Sequence, residues 1–299
     1  MPEILEYIVN KISEANPISA KKLKRNYSKF SDQHLTEAEE FLNLYSVYLN
    51  SISRNIDYAV DCYLKMTSDM FTERMKFLET GEYSNKFYKD VDEKIYSNPE
   101  IMDYHMHGLA IAQFLWPDQY IRFRFFSDNL LKYSPVNSYL EIGGGHGLYV
   151  REAVKLLESK TDFAVIDISQ SSLNICENMS EGENVNFILK DIFEYHEEAK
   201  FDFITIGEVI EHLEDPLKLL NKIHSILNTG GSVYLTTPVN APMIDHIYLF
   251  NNVDEIKELM MKANFKIIED VAVYSEDLPE ELAIKHKIPL MYACFLKKV

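Results

Sequence analysis

The chain has 299 residues, 46% of them apolar, which is enough for one large domain or two smaller ones with a substantial core. Its formal net charge of −17 argues against nucleic acid or an anionic membrane as a partner, because both bind chiefly through Lys and Arg. The three cysteines are too widely spaced for a disulfide framework or a metal site, and we expect buried thiols in a reducing compartment.

The N-terminal sequence has no basic region followed by an apolar run, and no apolar run reaches the roughly 18 residues of a spanning helix. We therefore expect a cytoplasmic protein. Residues 1–132 are predicted to form a helical domain, since glycine is rare there and apolar residues recur every three or four positions. Its predicted helices are Leu35–Tyr48, Ile56–Leu78, Ile101–Leu115 and Asp118–Leu131. The basic cluster Lys21–Arg25 is expected to be a solvated helix face.

Two segments of the helical part carry side chains of chemical interest. His105 and His107 stand two residues apart, so on one helix they point to different faces, and we expect packing or surface roles rather than a shared ligand. In segment 119–126, aromatic residues alternate with Arg122 and Arg124. Such a segment either roofs a pocket for a flat or anionic molecule or, as we favour, forms an amphipathic core face with exposed arginines.

From residue 133 onward, apolar runs alternate with helix-like segments, a pattern typical of a doubly wound α/β sheet. Residues 133–299 are therefore predicted to form a second domain. Its predicted strands are 138–141, Phe163–Asp167, Val185–Leu189, Phe201–Ile206, Gly230–Pro238, Phe265–Val273 and Leu290–Leu296. Its predicted helices are Leu148–Leu157, Leu217–Leu227 and Val253–Ala263.

The first strand of this domain ends at Glu141 and runs into a turn with glycine at alternate positions, 143, 145 and 147. Glycine at a strand-to-helix turn lets the backbone approach a ligand closely. An ordinary glycine turn that binds no ligand would have the same sequence pattern. The acid Asp167 ends the next strand, 20 residues past Gly147, where open α/β sheets bind ribose hydroxyls. Asp191 and Glu208 follow the third and fourth strands, so we expect these acids around one crevice.

The spacing E-x-G-x-G-x-G, with this ordered series of acids, resembles class I S-adenosylmethionine (SAM) dependent methyltransferases over residues 135 to about 270. The resemblance implies a seven-stranded Rossmann-like sheet whose last strand is inserted antiparallel. It also implies SAM as the cofactor, with the glycines under its methionine and ribose portions and Asp167 on the ribose hydroxyls. The cofactor-binding residues that it indicates are Glu141, Gly143, Gly145, Gly147, Asp167, Ile168, Asp191 and Ile192.

A second motif, E-V-I-E-H, begins at Glu208, directly after the fourth strand, and another histidine, His246, comes after the fifth. One helical turn separates Glu208 from Glu211 and His212, so these side chains can converge on one face. Two carboxylates and two imidazoles suit a divalent ion such as Mg, Mn, Zn or Fe, which can lower the pKa of a substrate hydroxyl. We therefore predict Glu208, Glu211, His212 and His246 as metal ligands, with catalytic roles for the two histidines.

The E-x-x-E-H segment with a later histidine resembles two methyltransferase groups. One is the small-RNA 2′-O-methyltransferases, which hold a divalent ion this way, and the other is the ubiquinone-biosynthesis O-methyltransferases. A similar stretch also occurs in methyltransferases with no known metal, where the residue at position 208 supports the methionine end of SAM. In that alternative, Asp215 and Pro216 simply start the next helix. His146, inside the glycine turn, is expected to fill a variable position.

The leading interpretation is methyl transfer from SAM to a hydroxyl of a small molecule, or less favourably to carbon or nitrogen. The N-terminal helices would cover the crevice and complete the acceptor site. Because the surface is acidic, RNA 2′-O-methylation is the weaker alternative. A non-catalytic SAM-binding regulator or scaffold is the alternative from another class. The helical domain is apolar enough to form a homodimer.

Overall fold

The computed structural model describes residues 3–180, 184–195 and 200–299. The α-helices are α1 (Glu3–Ala15), α2 (Pro17–Tyr27), α3 (Asp32–Ser51), α4 (Ile56–Thr80), α5 (Tyr88–Val91), α6 (Pro99–Leu115), α7 (Pro117–Asn129), α8 (Leu148–Leu156), α9 (Gln170–Met179), α10 (Pro216–Ile226), α11 (Val253–Lys262) and α12 (Glu280–Lys285). The strands are β1 (Ser138–Ile142), β2 (Asp162–Asp167), β3 (Val185–Leu189), β4 (Phe201–Gly207), β5 (Leu227–Val239), β6 (Phe265–Tyr274) and β7 (Leu290–Lys298).

The strands form a seven-stranded sheet in the order β3-β2-β1-β4-β5-β7-β6. Strands β1 to β5 pair in parallel, whereas β7 pairs antiparallel with both β5 and β6. The predicted doubly wound sheet with an inserted antiparallel last strand is therefore confirmed. Strand order reverses between β1 and β4, and in open α/β sheets ligands bind beyond the carboxyl ends of the strands at such a switch point.

Each face of the sheet is covered by its own set of helices. One face packs on α10 and α11 through apolar residues such as Leu140, Leu220 and Met260. The opposite face carries the other alternating side chains of the strands, including Tyr139, and packs on α8 and α9. Because both faces of the sheet are buried, the sequences of the central strands are nearly continuous apolar runs.

The helices from α1 to α6 enclose a separate apolar core, which also takes in Ile175 and Met179 of α9. Helix α7 behaves differently, because its Phe126 and the following Leu130 are fully buried in the core of the sheet. The predicted domain boundary after residue 132 therefore places α7 in the helical part, although this helix packs on the sheet. The helical part and the sheet thus share apolar contacts on both sides of that boundary.

The four predicted N-terminal helices are confirmed, each with slightly wider or shifted bounds, and the predicted strands and C-terminal helices also form. The basic cluster lies on α2, where Lys21, Lys24 and Arg25 are exposed as expected. All three cysteines are buried and free. Across the described ranges, no helix is both long and apolar enough to cross a membrane.

Candidate functional site

A cavity of about 1170 Å³ lies between the N-terminal helices and the carboxyl edge of the sheet. Its floor includes the glycine turn after β1 and the segments that follow β2, β3, β4 and β5. Its roof comes from α2, α4 and α6. The predicted crevice is thus covered by the helical part, which leaves one chamber shared by both portions of the chain.

The glycine turn needs glycine for different reasons at different positions. Gly143, Gly145 and Gly147 all have left-handed backbone, with φ of +78°, +53° and +76°. A Cβ added at Gly143 would lie 2.6 Å from a methyl of Val209, and one at Gly147 would lie 3.1 Å from the backbone of Cys176. A Cβ at Gly145 would meet nothing within 4 Å, and Gly145 lines the cavity. At Gly145, therefore, bare backbone faces the cavity, while Gly147 allows the close packing of α8 on α9.

Asp167 lies at the end of β2 and lines the cavity, as predicted. One carboxylate oxygen accepts from Ser169 N at 2.8 Å, and the other from Gly144 N at 2.9 Å and Ser172 Oγ at 2.7 Å. Burial raises the pKa of Asp167, and these hydrogen bonds oppose the rise. Asp167 is therefore held in a fixed position by its neighbours where it borders the cavity.

The other predicted cofactor residues surround the same part of the cavity. Ile168 lines it with a side chain that is 46% exposed, although it adjoins a buried strand. Ile192 and Asp191 also line it, and Asp191 Oδ1 accepts from Phe193 N at 2.8 Å. Glu141 lies beneath the turn, 2% exposed, and burial raises its pKa well above the ordinary value. An acid, an exposed apolar side chain and open backbone together fit the cofactor that the resemblance implies.

Three of the four predicted metal ligands meet beyond the carboxyl ends of β4 and β5. One ligand atom each from Glu211, His212 and His246 lies within 4.8 Å of the others. Glu211 and His212 belong to a 3₁₀ turn, Ile210–His212, and His246 arrives from the loop after β5. His212 Nε2 lies 4.0 Å from Glu211 Oε1, and the two imidazole rings are 4.8 Å apart.

The chemistry of this cluster suits a cation. Glu211 is fully buried, and its Oε1 has no hydrogen-bond partner among the described residues. His246 Nδ1 lies 2.6 Å from the carbonyl oxygen of Ala241, so it carries the proton and Nε2 keeps its lone pair. Burial lowers the pKa of His246 to about 3, which keeps the ring neutral. A buried, unfilled carboxylate oxygen beside two imidazoles is a donor set that fits a divalent ion.

Glu208, the fourth predicted ligand, is placed differently. It has a left-handed backbone with φ of +54°, so the assumed helical turn from Glu208 to Glu211 does not form. Its Oε1 accepts a hydrogen bond from Arg122 Nη1 at 2.5 Å. Arg122 is fully buried, which corrects the favoured expectation that the arginines of segment 119–126 are exposed. Arg124 is half-buried and pairs with Glu37.

The structure adds side chains that the sequence did not single out. Asp245 is buried, with Oδ2 3.5 Å from His212 Nδ1 and 3.7 Å from His105 Nε2. Burial would raise the pKa of Asp245, but the neighbouring histidines lower it, so the carboxylate is charged. The hydroxyl of Tyr96 lies 2.9 Å from His212 Nδ1. Adjacency to His246 was the only available signal for Asp245, and no local pattern marked Tyr96.

Of the remaining histidines of interest, His105 and His107 are buried, whereas His146 is partly exposed and lines the cavity. His105 lines the cavity and lies beside Asp245. The spacing of the two histidines did not predict this contact. His107 Nδ1 lies 2.5 Å from the hydroxyl of Tyr45, away from the cavity, in agreement with a packing role. His146 packs edge-on against Phe41 at 5.7 Å between ring centres, and burial lowers its pKa to about 4.

Comparison with known families gives one match that covers just over half of the chain. A family model described as a methyltransferase domain matches residues 119–270. The match begins within α7, in agreement with the packing of that helix on the sheet. It includes the glycine turn, Asp167 and the Glu211, His212 and His246 cluster.

Two curated relatives and one solved structure extend this comparison. The malonyl-(acyl-carrier protein) O-methyltransferase 1 of Ilyobacter polytropus is 28% identical over 144 residues, which are 43% of this chain and 53% of that protein. The ubiquinone biosynthesis O-methyltransferase of Coxiella burnetii is 26% identical over 126 residues, 41% of this chain and 52% of that protein. The chain thus spans about half the length of these relatives.

The solved structure is that of Haemonchus contortus phospholethanolamine N-methyltransferase 2, bound to phosphomonomethylethanolamine and S-adenosylhomocysteine. It superposes with a TM-score of 0.53 at 16% identity, covering 71% of this chain and 60% of that chain. At this identity the similarity shows a shared fold.

Proposed function

The chain belongs to the methyltransferase domain family, and on that premise we propose that it transfers the methyl group of SAM to an oxygen of a small-molecule acceptor, assisted by a divalent metal. The observation that carries the proposal is one cavity that holds both Gly145 with Asp167 and the cluster of Glu211, His212 and His246. That two of the relatives are named O-methyltransferases supports oxygen as the nucleophile.

In this proposal the chain mainly positions the reactants. SAM would supply its sulfonium methyl group and leave as S-adenosylhomocysteine, while the acceptor hydroxyl would release its proton. A divalent ion would supply positive charge that favours the ionised hydroxyl. Asp167 and Gly145 hold the cofactor, while Glu211, His212 and His246 hold the ion. Tyr96 and Asp245 fix the ring of His212, because both contact its Nδ1 side. The helical roof limits the access of water to the reactants. Alignment of the methyl group with the acceptor oxygen contributes much of the rate acceleration.

Two measurements test this function against its alternatives. S-adenosylhomocysteine is titrated into the protein by calorimetry, and methyl-labelled SAM is incubated with either a small-molecule extract or total RNA. We expect binding and label in the small-molecule fraction. Label in RNA would favour 2′-O-methylation of RNA, whereas binding without any transfer would favour a regulatory or scaffold role. Absence of binding would refute the cofactor site.

A further inference from the structure

The helical part contributes a largely apolar wall to the cavity. Two helices, α4 and α6, line it with residues spaced three, four or seven apart, so each presents one stripe to the chamber. The apolar members of these stripes include Leu64, Met70, Phe71, Met102, Met106 and Leu109. A molecule that lies against this wall gains free energy by burying apolar surface of its own.

The same wall carries two cations, although the protein as a whole has a net charge of −17. Lys22 of α2 and Arg74 of α4 both line the cavity. Glu276 lies 3.0 Å from Lys22 Nζ and also acts on Arg74 through its charge. Asp118 acts on Lys22 as well, but burial raises the pKa of Asp118. Lys22 and Arg74 thus bring positive charge to this end of the chamber, where Glu276 pairs with Lys22.

Arg74 has hydrogen-bonding capacity that the surrounding chain does not use. Its Nη2 donates to the carbonyl oxygen of His286, which fixes the orientation of the guanidinium. Its Nη1 is buried and has no hydrogen-bond partner within the described parts of the chain. A buried donor without a partner costs free energy, and the planar guanidinium matches carboxylate and phosphate oxygens.

Arg74 lines the same cavity as His246 of the proposed metal cluster. It lies near enough to Tyr83 for its charge to act on the phenol. The ring of Tyr83 is in turn 5.9 Å from that of His246, and the hydroxyl of Tyr83 accepts from Ala241 N. An acceptor long enough to span the part of the cavity between them can contact His246 with one group and Arg74 with another.

We infer that the methyl acceptor is an anionic molecule with an apolar body, and that its carboxylate or phosphate is bound by Arg74. This inference rests on the proposed function, because it assigns the acceptor of the same cavity. The apolar body lies against the stripes of α4 and α6. Lys22 adds positive charge beside the anionic group, so a neutral molecule of the same shape binds more weakly.

The test uses Trp116, the single tryptophan of the chain, which lines the cavity and donates from Nε1 to the hydroxyl of Tyr63. Its fluorescence is followed while decanoate, decyl phosphate or decanol is added to the full-length protein below the micelle concentration. We expect either anion to bind at least about tenfold more tightly than decanol. The tighter of the two anions shows whether the group that Arg74 binds is a carboxylate or a phosphate. Equal affinity for decanol and both anions would overturn the inference.

Variants separate Arg74 from charge in general. Arg74→Gln should weaken binding of the preferred anion by about tenfold and leave decanol unchanged, while Arg74→Lys should recover part of the loss. Arg25→Gln removes an exposed arginine of α2 outside the cavity and should change neither. An unchanged anion affinity in Arg74→Gln contradicts the inference. Calorimetry with S-adenosylhomocysteine confirms that each variant is folded and tests the proposed function separately, because the fluorescence titration needs no cofactor.

Discussion

Arg122 Nη1 lies 2.5 Å from Glu208 Oε1, so a fully buried arginine on α7 holds an acid at the carboxyl end of β4. The charge of Glu208 raises the pKa of Arg122 although burial acts in the opposite direction. Nε and Nη2 of Arg122 are buried and have no partner among the residues described. The pair ties the helix before the sheet to the floor of the cavity.

Removing this arginine should be costly, because it leaves Glu208 without its buried partner. We expect Arg122→Leu to lower the free energy of unfolding by about 3 kcal/mol. Arg124→Leu, on the same helix but in a half-exposed pair with Glu37, should cost less than about 1 kcal/mol. Urea denaturation of both variants gives the comparison, and equal losses would contradict the buried-pair argument.

Gly145 and Gly230 form a matched pair for testing the cofactor site. Both have left-handed backbone, with φ of +53° and +75°, and an added Cβ meets nothing within 4 Å at either position. Each change to alanine should therefore cost about 1 kcal/mol of stability. Only Gly145→Ala places a methyl in the cavity, so only this variant should lose S-adenosylhomocysteine affinity, by about tenfold in calorimetry. A comparable loss in Gly230→Ala would show that strain, and not the cavity, causes the effect.

The metal cluster gives a prediction in which Glu208 serves as the control. Glu211→Gln or His246→Gln should weaken Co²⁺ binding, measured by visible absorption, by about a hundredfold or more. Glu208→Gln should leave Co²⁺ affinity unchanged, because Glu208 pairs with Arg122 instead of joining the cluster. Turnover should also stop in EDTA and return with added metal. Full activity in excess EDTA would exclude metal assistance.

The contribution of the helical part to the site can be tested at Tyr96, which lies between α5 and α6. Tyr96→Phe removes the hydroxyl that lies 2.9 Å from His212 Nδ1. Loss of this hydrogen bond, worth roughly 1 kcal/mol, should lower kcat about fivefold. The affinity for S-adenosylhomocysteine should be unchanged. Tyr104→Phe loses a comparable bond, to Asp69 at 2.7 Å, outside the cavity, and should keep its kcat. A truncation near residue 130 is a poorer test, because it removes Phe126 from the sheet core.

Stability should fall in mild acid because of His34. Burial lowers the pKa of His34 from 6.5 to about 4, between the stacked rings of Phe30 and Tyr120. Between these pH values the unfolded chain binds a proton that the folded chain does not, so the free energy of unfolding decreases as the pH falls. The slope is up to about 1.4 kcal/mol per pH unit. Urea titrations from pH 8 to pH 4 should show a smaller slope in His34→Phe, and an identical slope would refute the assignment.

Much of the fold follows from local patterns. Apolar runs and helical periodicity predicted the strands and most helices, because side-chain repeats of two and 3.6 residues are properties of short segments. The turn after β1 and the acid Asp167 were recognisable for the same reason: backbone freedom and the end of a strand are set by a few adjacent residues. The helices α1 and α9 were not predicted, and α2 was expected only as a helix face around its basic cluster, since their apolar faces become evident only against the helices that cover them. The short helices α5 and α12 were not predicted either.

The composition of the site shows where sequence reasoning stops. Glu211, His212 and His246 were predicted together because the segments after the fourth and fifth strands lie at the same carboxyl edge of the sheet. The predicted position of Glu208 differs from the observed one because its left-handed backbone breaks the helical turn that the spacing assumed. Arg122 and Glu208 are 86 residues apart, and no local signal could pair them. The sequence by itself thus determined the sheet, its glycine turn and its acids. Only tertiary packing decided which buried charges are neighbours, because that depends on how distant helices lie across the sheet.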